Sequence, residues 1–188
     1  MKTEIETRFL DIDRDNLTKK LVSLGAVDQG EELLEETIFK AADRSWEGKN
    51  KFVRLRKTKG KTVLTYKENT GQTVNSAQEI EINVSDFDQC SELFGKTGLK
   101  VKRTLKKYRH TFTLDDVTLD IDRWPRIPDY IELEGSSIES LQRVCKKLGL
   151  DWKQRFDGDA RAVFSHYGFN MDRLVVITFD DFKEDVSR

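Results

Sequence analysis

The residues of this chain with chemical potential come as charged pairs spaced by two. Reading from the start gives Glu4 and Glu6 with Arg8, then Arg54 and Arg56, Glu79 and Glu81, Lys107 and Arg109, Asp120 and Asp122, and Glu132 and Glu134. Lys67 stands alone in a stretch with Val63 and Thr65. Side chains two apart on a strand point to the same face, so each pair is one chemical unit. Between them lie Ile5, Leu55, Ile80, Tyr108, Leu119, Ile121, Ile131 and Leu133, giving each strand one charged and one apolar face. A half-exposed sheet in water has that alternation too. What sets this chain apart is segregation: the doublets are acidic or basic, whereas solvated faces mix signs with Ser, Thr and Gln. Clustered Arg and Lys in a concave site suit a polyanion, because guanidinium forks match phosphate oxygens in pairs. Clustered Glu and Asp suit a hard divalent cation, Mg²⁺ or Mn²⁺, which commonly bridges carboxylates to phosphates. Charges withdrawn from water need partners of opposite sign, so the two clusters together imply a complex of metal and polyphosphate.

The elements that must position these pairs follow from periodicity. Lys2–Leu10, Lys51–Lys57, Thr62–Glu68, Ser76–Val84, Val101–Leu114, Val117–Arg123 and Tyr130–Glu134 alternate with period two and read as strands, with Glu31–Phe39 as a further one. Asp13–Leu24, Ser85–Phe94 and Ser137–Leu148 carry apolar residues at helical spacing, with Asn16, Ser85 and Ser137 as N-caps and Gly25, Gly95 and Gly149 as stops. Turns at 58–61 and 115–116 are short enough for antiparallel hairpins. Hairpin-linked strands with helices between them indicate an α+β fold, here a closed antiparallel β-barrel with the helices packed on its outside and a charged tunnel within. A membrane barrel is the other way to turn polar faces inward; interrupting helices, no leader segment and no aromatic girdles argue against it.

The length of 188 residues suits one domain, residues 1–169, with an extension at 170–188 whose Leu174–Phe179 run could form an extra strand or a homodimer contact. Charged residues make up 36% of the chain against about 25% in an average soluble domain. Lys plus Arg (33) nearly balances Asp plus Glu (34), which disfavours a nucleic-acid surface. Cys90 and Cys145 lack the spacing of a zinc site or disulfide framework. No stretch approaches the length of a membrane span, and a cytoplasmic location is expected.

The Glu-x-Glu-x-Arg of Glu4, Glu6 and Arg8 resembles the Glu-x-Glu-x-Lys signature of the CYTH superfamily, the triphosphate tunnel metalloenzymes. FVRLR (52–56), LTYKE (64–68), EIEI (79–82), KYR (107–109), LDID (119–122) and WPRIPDYIELEG (124–135) follow in family order, and RAVFSHYG (161–168) resembles the Ser-Tyr stretch that often ends such domains. The chain looks most similar to the bacterial class IV adenylyl cyclase-like branch. The resemblance implies that Glu4, Glu6, Glu132 and Glu134, assisted by Asp120 or Asp122, bind Mg²⁺ or Mn²⁺. It also implies that Arg54, Arg56, Lys67, Lys107 and Arg109 hold a triphosphate such as ATP, thiamine triphosphate or inorganic triphosphate, with Glu79 and Glu81 orienting the basic side chains. Glu4, Glu6 and Arg8 would form the catalytic end. Arg8 departs from the family's lysine: a guanidinium clamps phosphate but cannot act as a general base.

Phosphoryl chemistry needs positioning and charge neutralisation above all. Water attacking the terminal phosphorus makes the protein a triphosphatase, which is the expectation here. A ribose 3′-hydroxyl attacking the α-phosphorus makes it an adenylyl cyclase, and a sensor without turnover is the third reading. His110 and His166 have no ligand spacing, and Trp46, Trp124 and Trp152 read as packing residues, Trp124 fixing the turn into the last carboxylate strand.

Overall fold

The computed structural model describes residues 5–49, 51–69 and 77–185; Glu4 lies outside them. Among the described residues ten strands form one sheet: β1 (Ile5–Phe9), β2 (Val27–Ala41), β3 (Lys51–Thr58), β4 (Lys61–Asn69), β5 (Ala77–Val84), β6 (Leu99–Leu114), β7 (Val117–Arg123), β8 (Tyr130–Gly135), β9 (Leu174–Ile177) and β10 (Phe182–Glu184). The helices are α1 (Arg14–Ser23), α2 (Phe87–Lys96), α3 (Ile138–Leu148) and α4 (Ala160–His166). The order is β1-β8-β7-β6-β2-β3-β4-β5, with β9 on β6 and β10 on β9. The fold is thus α+β and largely antiparallel, as the alternation predicts. The expected closed barrel is not closed by hydrogen bonds: among the described residues the order begins at β1 and ends at β5.

The chain divides into two compact units, Met1–Glu32 with Lys107–Asp172, and Leu33–Lys106 with Arg173–Arg188; the long strands β2 and β6 contribute to both. In the first unit Phe112, Leu114, Leu119, Ile121, Ile131, Leu133 and Phe9 present the apolar faces of β6, β7, β8 and β1 to Leu17 and Leu21 of α1 and Leu141, Val144, Cys145 and Leu148 of α3. Burying each such Leu or Ile is worth about 1.5–3 kcal/mol, so this packing fixes which face the charged residues occupy. In the second unit Phe39, Val53 and Leu55 pack with Phe87, Cys90 and Phe94 of α2. The residues between them, including Arg54 and Arg56, are thereby turned to the opposite face.

Local signals place the helix ends differently from the sequence expectation. Asp13, three residues before Asn16, caps α1 by accepting from the Asn16 amide at 3.1 Å, and Asp86 rather than Ser85 caps α2. Gly95 lies inside α2, which ends at Thr97 before a left-handed Gly98. Ser137 and Gly149 bound α3 as expected. The 170–188 region supplies β9, an extra strand whose Val176 and Ile177 pair in parallel with Thr104 and Leu105 of β6. Among the described residues no helix is long and apolar enough to cross a membrane.

Candidate functional site

Register converts the sequence doublets into two charged faces, one in each unit. In the first, Glu6 stands opposite Glu134 and Arg8 opposite Glu132 across β1 and β8. Asp120 stands opposite Glu132, and Asp122 opposite Tyr130, across β7 and β8. Arg109 faces Asp122, and Thr111 faces Asp120, across β6 and β7. The structure therefore brings together the expected Glu6, Arg8, Lys107, Arg109, Asp120, Asp122, Glu132 and Glu134 on one surface.

The ion pairs show how these charges are used. Asp122, fully buried, accepts from Lys107 Nζ at 2.7 Å and from Arg109 Nε and a terminal nitrogen at 2.7 Å each. Burial alone would raise its pKa; Lys107 and Arg109 outweigh that and hold it well below the usual carboxylate range. Arg109 also reaches Asp120 Oδ2 at 2.6 Å and Glu132 Oε1 at 3.4 Å. Burial opposes its charge, but these acids reverse the effect and raise its pKa well above the ordinary value. Asp120, bonded by the Thr111 hydroxyl at 2.6 Å, behaves oppositely to Asp122, because burial dominates and raises its pKa. Lys107 Nζ also lies 4.8 Å from the Trp124 ring centroid, and Trp124 Nε1 donates to the Tyr130 hydroxyl at 2.9 Å. Trp124 thus fixes the approach to β8, and burial with neighbouring Asp122 and Glu132 raises the Tyr130 pKa.

Arg8 is buried between Glu6, at 3.2 Å, and Glu132, and its other terminal nitrogen donates to the Gly158 carbonyl. Burial opposes the charge of Arg8, and Glu132 and Glu6 raise its pKa nonetheless. Glu6 keeps a half-exposed side chain. Among the described residues no three His, Cys, Asp or Glu side chains are gathered around a common point for a metal. The donor chemistry is nonetheless that of a hard cation: Glu6, Glu134, Glu132 and Asp120 offer only oxygens, on adjacent, registered strands.

In the second unit Arg56 pairs with buried Glu36 at 2.6 Å. Lys67 and Arg54 share Glu79, at 3.5 and 3.8 Å. Thr65, opposite both Arg54 and Glu81, bridges them with contacts of 3.4 and 3.3 Å. Among the described residues the buried Nε of Arg54, like that of Arg8 in the first unit, has no hydrogen-bond partner. Burial and the neighbouring Arg56 lower its pKa despite Glu36, Glu79 and Glu81. An oxyanion would meet both deficits.

The doublet pattern passes over several residues that shape these faces. Glu36 is hidden in an acid-rich stretch, although its place opposite Arg56 makes it the partner of that guanidinium. Tyr130 shares the face of Glu132 by the same spacing of two that marks the charges. The segment at 156–158 has no sequence signal for its role; Arg8 exchanges two backbone hydrogen bonds with Phe156, and Thr7 Oγ1 donates to Asp157 at 3.1 Å. His110, on the apolar side of β6, pairs with Asp28 at 2.7 Å and stacks on Phe112.

The model of the CYTH domain matches residues 2–155. A Methanocaldococcus jannaschii protein whose name proposes it as an adenylate cyclase, MJ0240, is 25% identical over 157 residues, 78% of this chain and 90% of its own. The structure of PH1012 from Pyrococcus horikoshii matches with a TM-score of 0.68 at 27% identity, covering 85% of this chain and 98% of that one. The Hippeastrum protein HpAC1, proposed as an adenylyl cyclase and titled as revealing a dominant triphosphatase activity, shares the fold with a TM-score of 0.61 at 15% identity, over 89% of this chain and 96% of its own. With a domain match over most of its length, the chain belongs to the CYTH family.

Proposed function

We propose that this protein is a metal-dependent enzyme acting on triphosphates, and that its main reaction is hydrolysis of the terminal phosphate. The observation that carries the reading is Arg54, a part-buried guanidinium with a buried, unpartnered Nε beside a second cation, Arg56. Such a group is stabilised by phosphate oxygens, which accept from a guanidinium in pairs. In this reading Arg54, Arg56 and Lys67 bind phosphate oxygens, and Glu79 is displaced from Lys67 and Arg54 as they do so. Arg109 directs its guanidinium at Asp122, Asp120 and Glu132 and Lys107 donates to Asp122, and they brace the carboxylates. Glu6, Glu132 and Glu134, with Asp120 beside them, would hold Mg²⁺ or Mn²⁺, joined by Glu4 from outside the described residues. Bound there, the metal supplies charge neutralisation and an activated water. Arg8 stays protonated and serves as a charge rather than as a base.

Hydrolysis is favoured because water suffices as nucleophile, whereas cyclisation also needs base and ribose held in register. The dominant triphosphatase activity of the Hippeastrum protein is in keeping with it. The name of the M. jannaschii relative favours the second reading, conversion of ATP to cyclic AMP and pyrophosphate. Incubation with ATP or inorganic triphosphate and Mg²⁺ or Mn²⁺, followed by chromatography, separates the two. Orthophosphate from at least one substrate, abolished by excess chelator and by Glu132→Gln in a folded protein, is the expected outcome. Cyclic AMP with equal pyrophosphate, and intact inorganic triphosphate, would establish the cyclase. Tight binding of both without product would indicate a sensor.

A further inference from the structure

Residue 8 sits amid the carboxylates of the first unit, and its guanidinium is held at both ends. One terminal nitrogen spans Glu6 and Glu132, and the other donates to the Gly158 carbonyl. The backbone beneath it is fixed as well: Arg8 N to Phe156 O is 3.2 Å and Phe156 N to Arg8 O is 2.7 Å. With Thr7 bonded to Asp157, the segment 156–158 lies along β1 and presents Gly158 to the guanidinium. A lysine in this place has a single nitrogen, which cannot reach two carboxylates and the Gly158 carbonyl in the same geometry.

We infer that Arg8 is a built-in cation that competes with the divalent metal for Glu6 and Glu132, with the Gly158 carbonyl holding it in the competing position. The inference rests on the metal-binding reading of these carboxylates. The Glu132 oxygen that Arg8 occupies is one that a metal would need, and two cations cannot share a carboxylate pair without strong repulsion. Metal entry therefore requires Arg8 to give up Glu132. The cost appears as weaker metal affinity than the same carboxylates would have beside a lysine. Arg8 is thus a positioning residue that sets the divalent concentration at which the carboxylate face fills.

The test is calorimetric titration of the full-length protein with Mn²⁺ alone, checked by electron paramagnetic resonance of free Mn²⁺. Arg8→Lys keeps the charge and removes the bridging, so Mn²⁺ should bind about tenfold tighter or more, a shift on the order of 1.4 kcal/mol. Its thermal midpoint should stay near that of the parent, and Glu132→Gln should weaken Mn²⁺ binding in either background. Equal or weaker binding by a folded Arg8→Lys protein would overturn the inference while leaving the metal site standing. Binding that is absent in all variants, or indifferent to Glu132→Gln, would remove the metal reading and the inference with it. Should Arg8→Lys not fold, Arg8→Gln at low and high salt replaces it. A gain that persists in high salt supports competition, whereas one that screening abolishes reflects net charge alone and refutes it.

Discussion

Replacing Asp122 by Asn removes one negative charge from a point that water does not reach. The carboxylate is fully buried and accepts three charge-assisted hydrogen bonds at 2.7 Å, one from Lys107 and two from Arg109. An Asn has nearly the same shape, so packing is kept; its amide oxygen can satisfy one donor, but its NH₂ group faces the remaining ones. Buried Lys107 and part-buried Arg109 then lose their common counter-charge. Arg109 retains Asp120 and Glu132, which limits the damage, whereas Lys107 keeps the Trp124 ring face among its contacts. Breaking a buried pair from one side costs about 3–5 kcal/mol, and the variant should fall in that range. Urea unfolding followed by circular dichroism, with the midpoint and slope fitted separately, measures it. The pH dependence adds a second readout. The folded pKa of Asp122 is depressed, so its contribution is complete above the unfolded value of about 4 and is lost as pH falls towards the folded one. The gap between parent and variant should therefore be constant at neutral pH and shrink under acid. A loss below about 1 kcal/mol, typical of exposed pairs, would refute the claim that this carboxylate organises the face.

Two further substitutions probe other links. Gly135→Ala at the end of β8 would place a Cβ 2.9 Å from Ser140 Oγ, 3.1 Å from Leu141 Cδ2 and 3.4 Å from Val117 Cγ2. The clash between β8 and α3 should cost about 1–3 kcal/mol in thermal or urea unfolding, and an unchanged midpoint would mean that α3 shifts freely. Arg54→Ala should weaken binding of inorganic triphosphate by about 10- to 100-fold, the worth of one charge-assisted contact. Unchanged affinity in calorimetry would remove Arg54 from the substrate site.

The alternation of charged and apolar residues is enough to find the strands and the face on which each doublet lies, because a slip by one residue would put Leu119, Ile121 and Leu133 in water. It also suffices for the turn at Asp115, where the backbone adopts a positive φ of 54°. Cap identity was less legible: Asp13 and Asn16, or Ser85 and Asp86, are chemically equivalent choices until the first amide without a helical partner is known. The short α4, capped by Asp159 and anchored by buried Val163 and Phe164, offers too little periodicity to be seen. The pairing of charges was not legible at all. Spacing shows that Arg109 and Asp122 belong to charged faces, but only the β6 and β7 register shows that they oppose each other. For the same reason the contacts of Arg8 with Glu6 and Glu132 follow only from the register of β1 and β8.

The balance of charge on each face bears on the proposed binding of a metal and of phosphate. On β1, β6, β7 and β8 of the first unit the described residues set Glu6, Asp120, Asp122, Glu132 and Glu134 against Arg8, Lys107 and Arg109, an excess of two negative charges. One divalent cation restores neutrality to such a face. In the second unit Arg54, Arg56 and Lys67 stand among Glu36, Glu79 and Glu81, so attraction there does not rest on surplus positive charge alone. The proposed reading adds exchange: Glu79, shared between Lys67 and Arg54 at 3.5 and 3.8 Å, is held more loosely than Glu36 is held by Arg56 at 2.6 Å. A phosphate oxygen that displaces Glu79 gains two cations and the free Nε of Arg54 and frees a carboxylate that is already part-exposed. Glu79→Gln should then strengthen triphosphate binding, because the neutral side chain competes less for the same cations. Weaker binding by the folded variant in calorimetry would show instead that Glu79 holds Arg54 and Lys67 in their receptive positions.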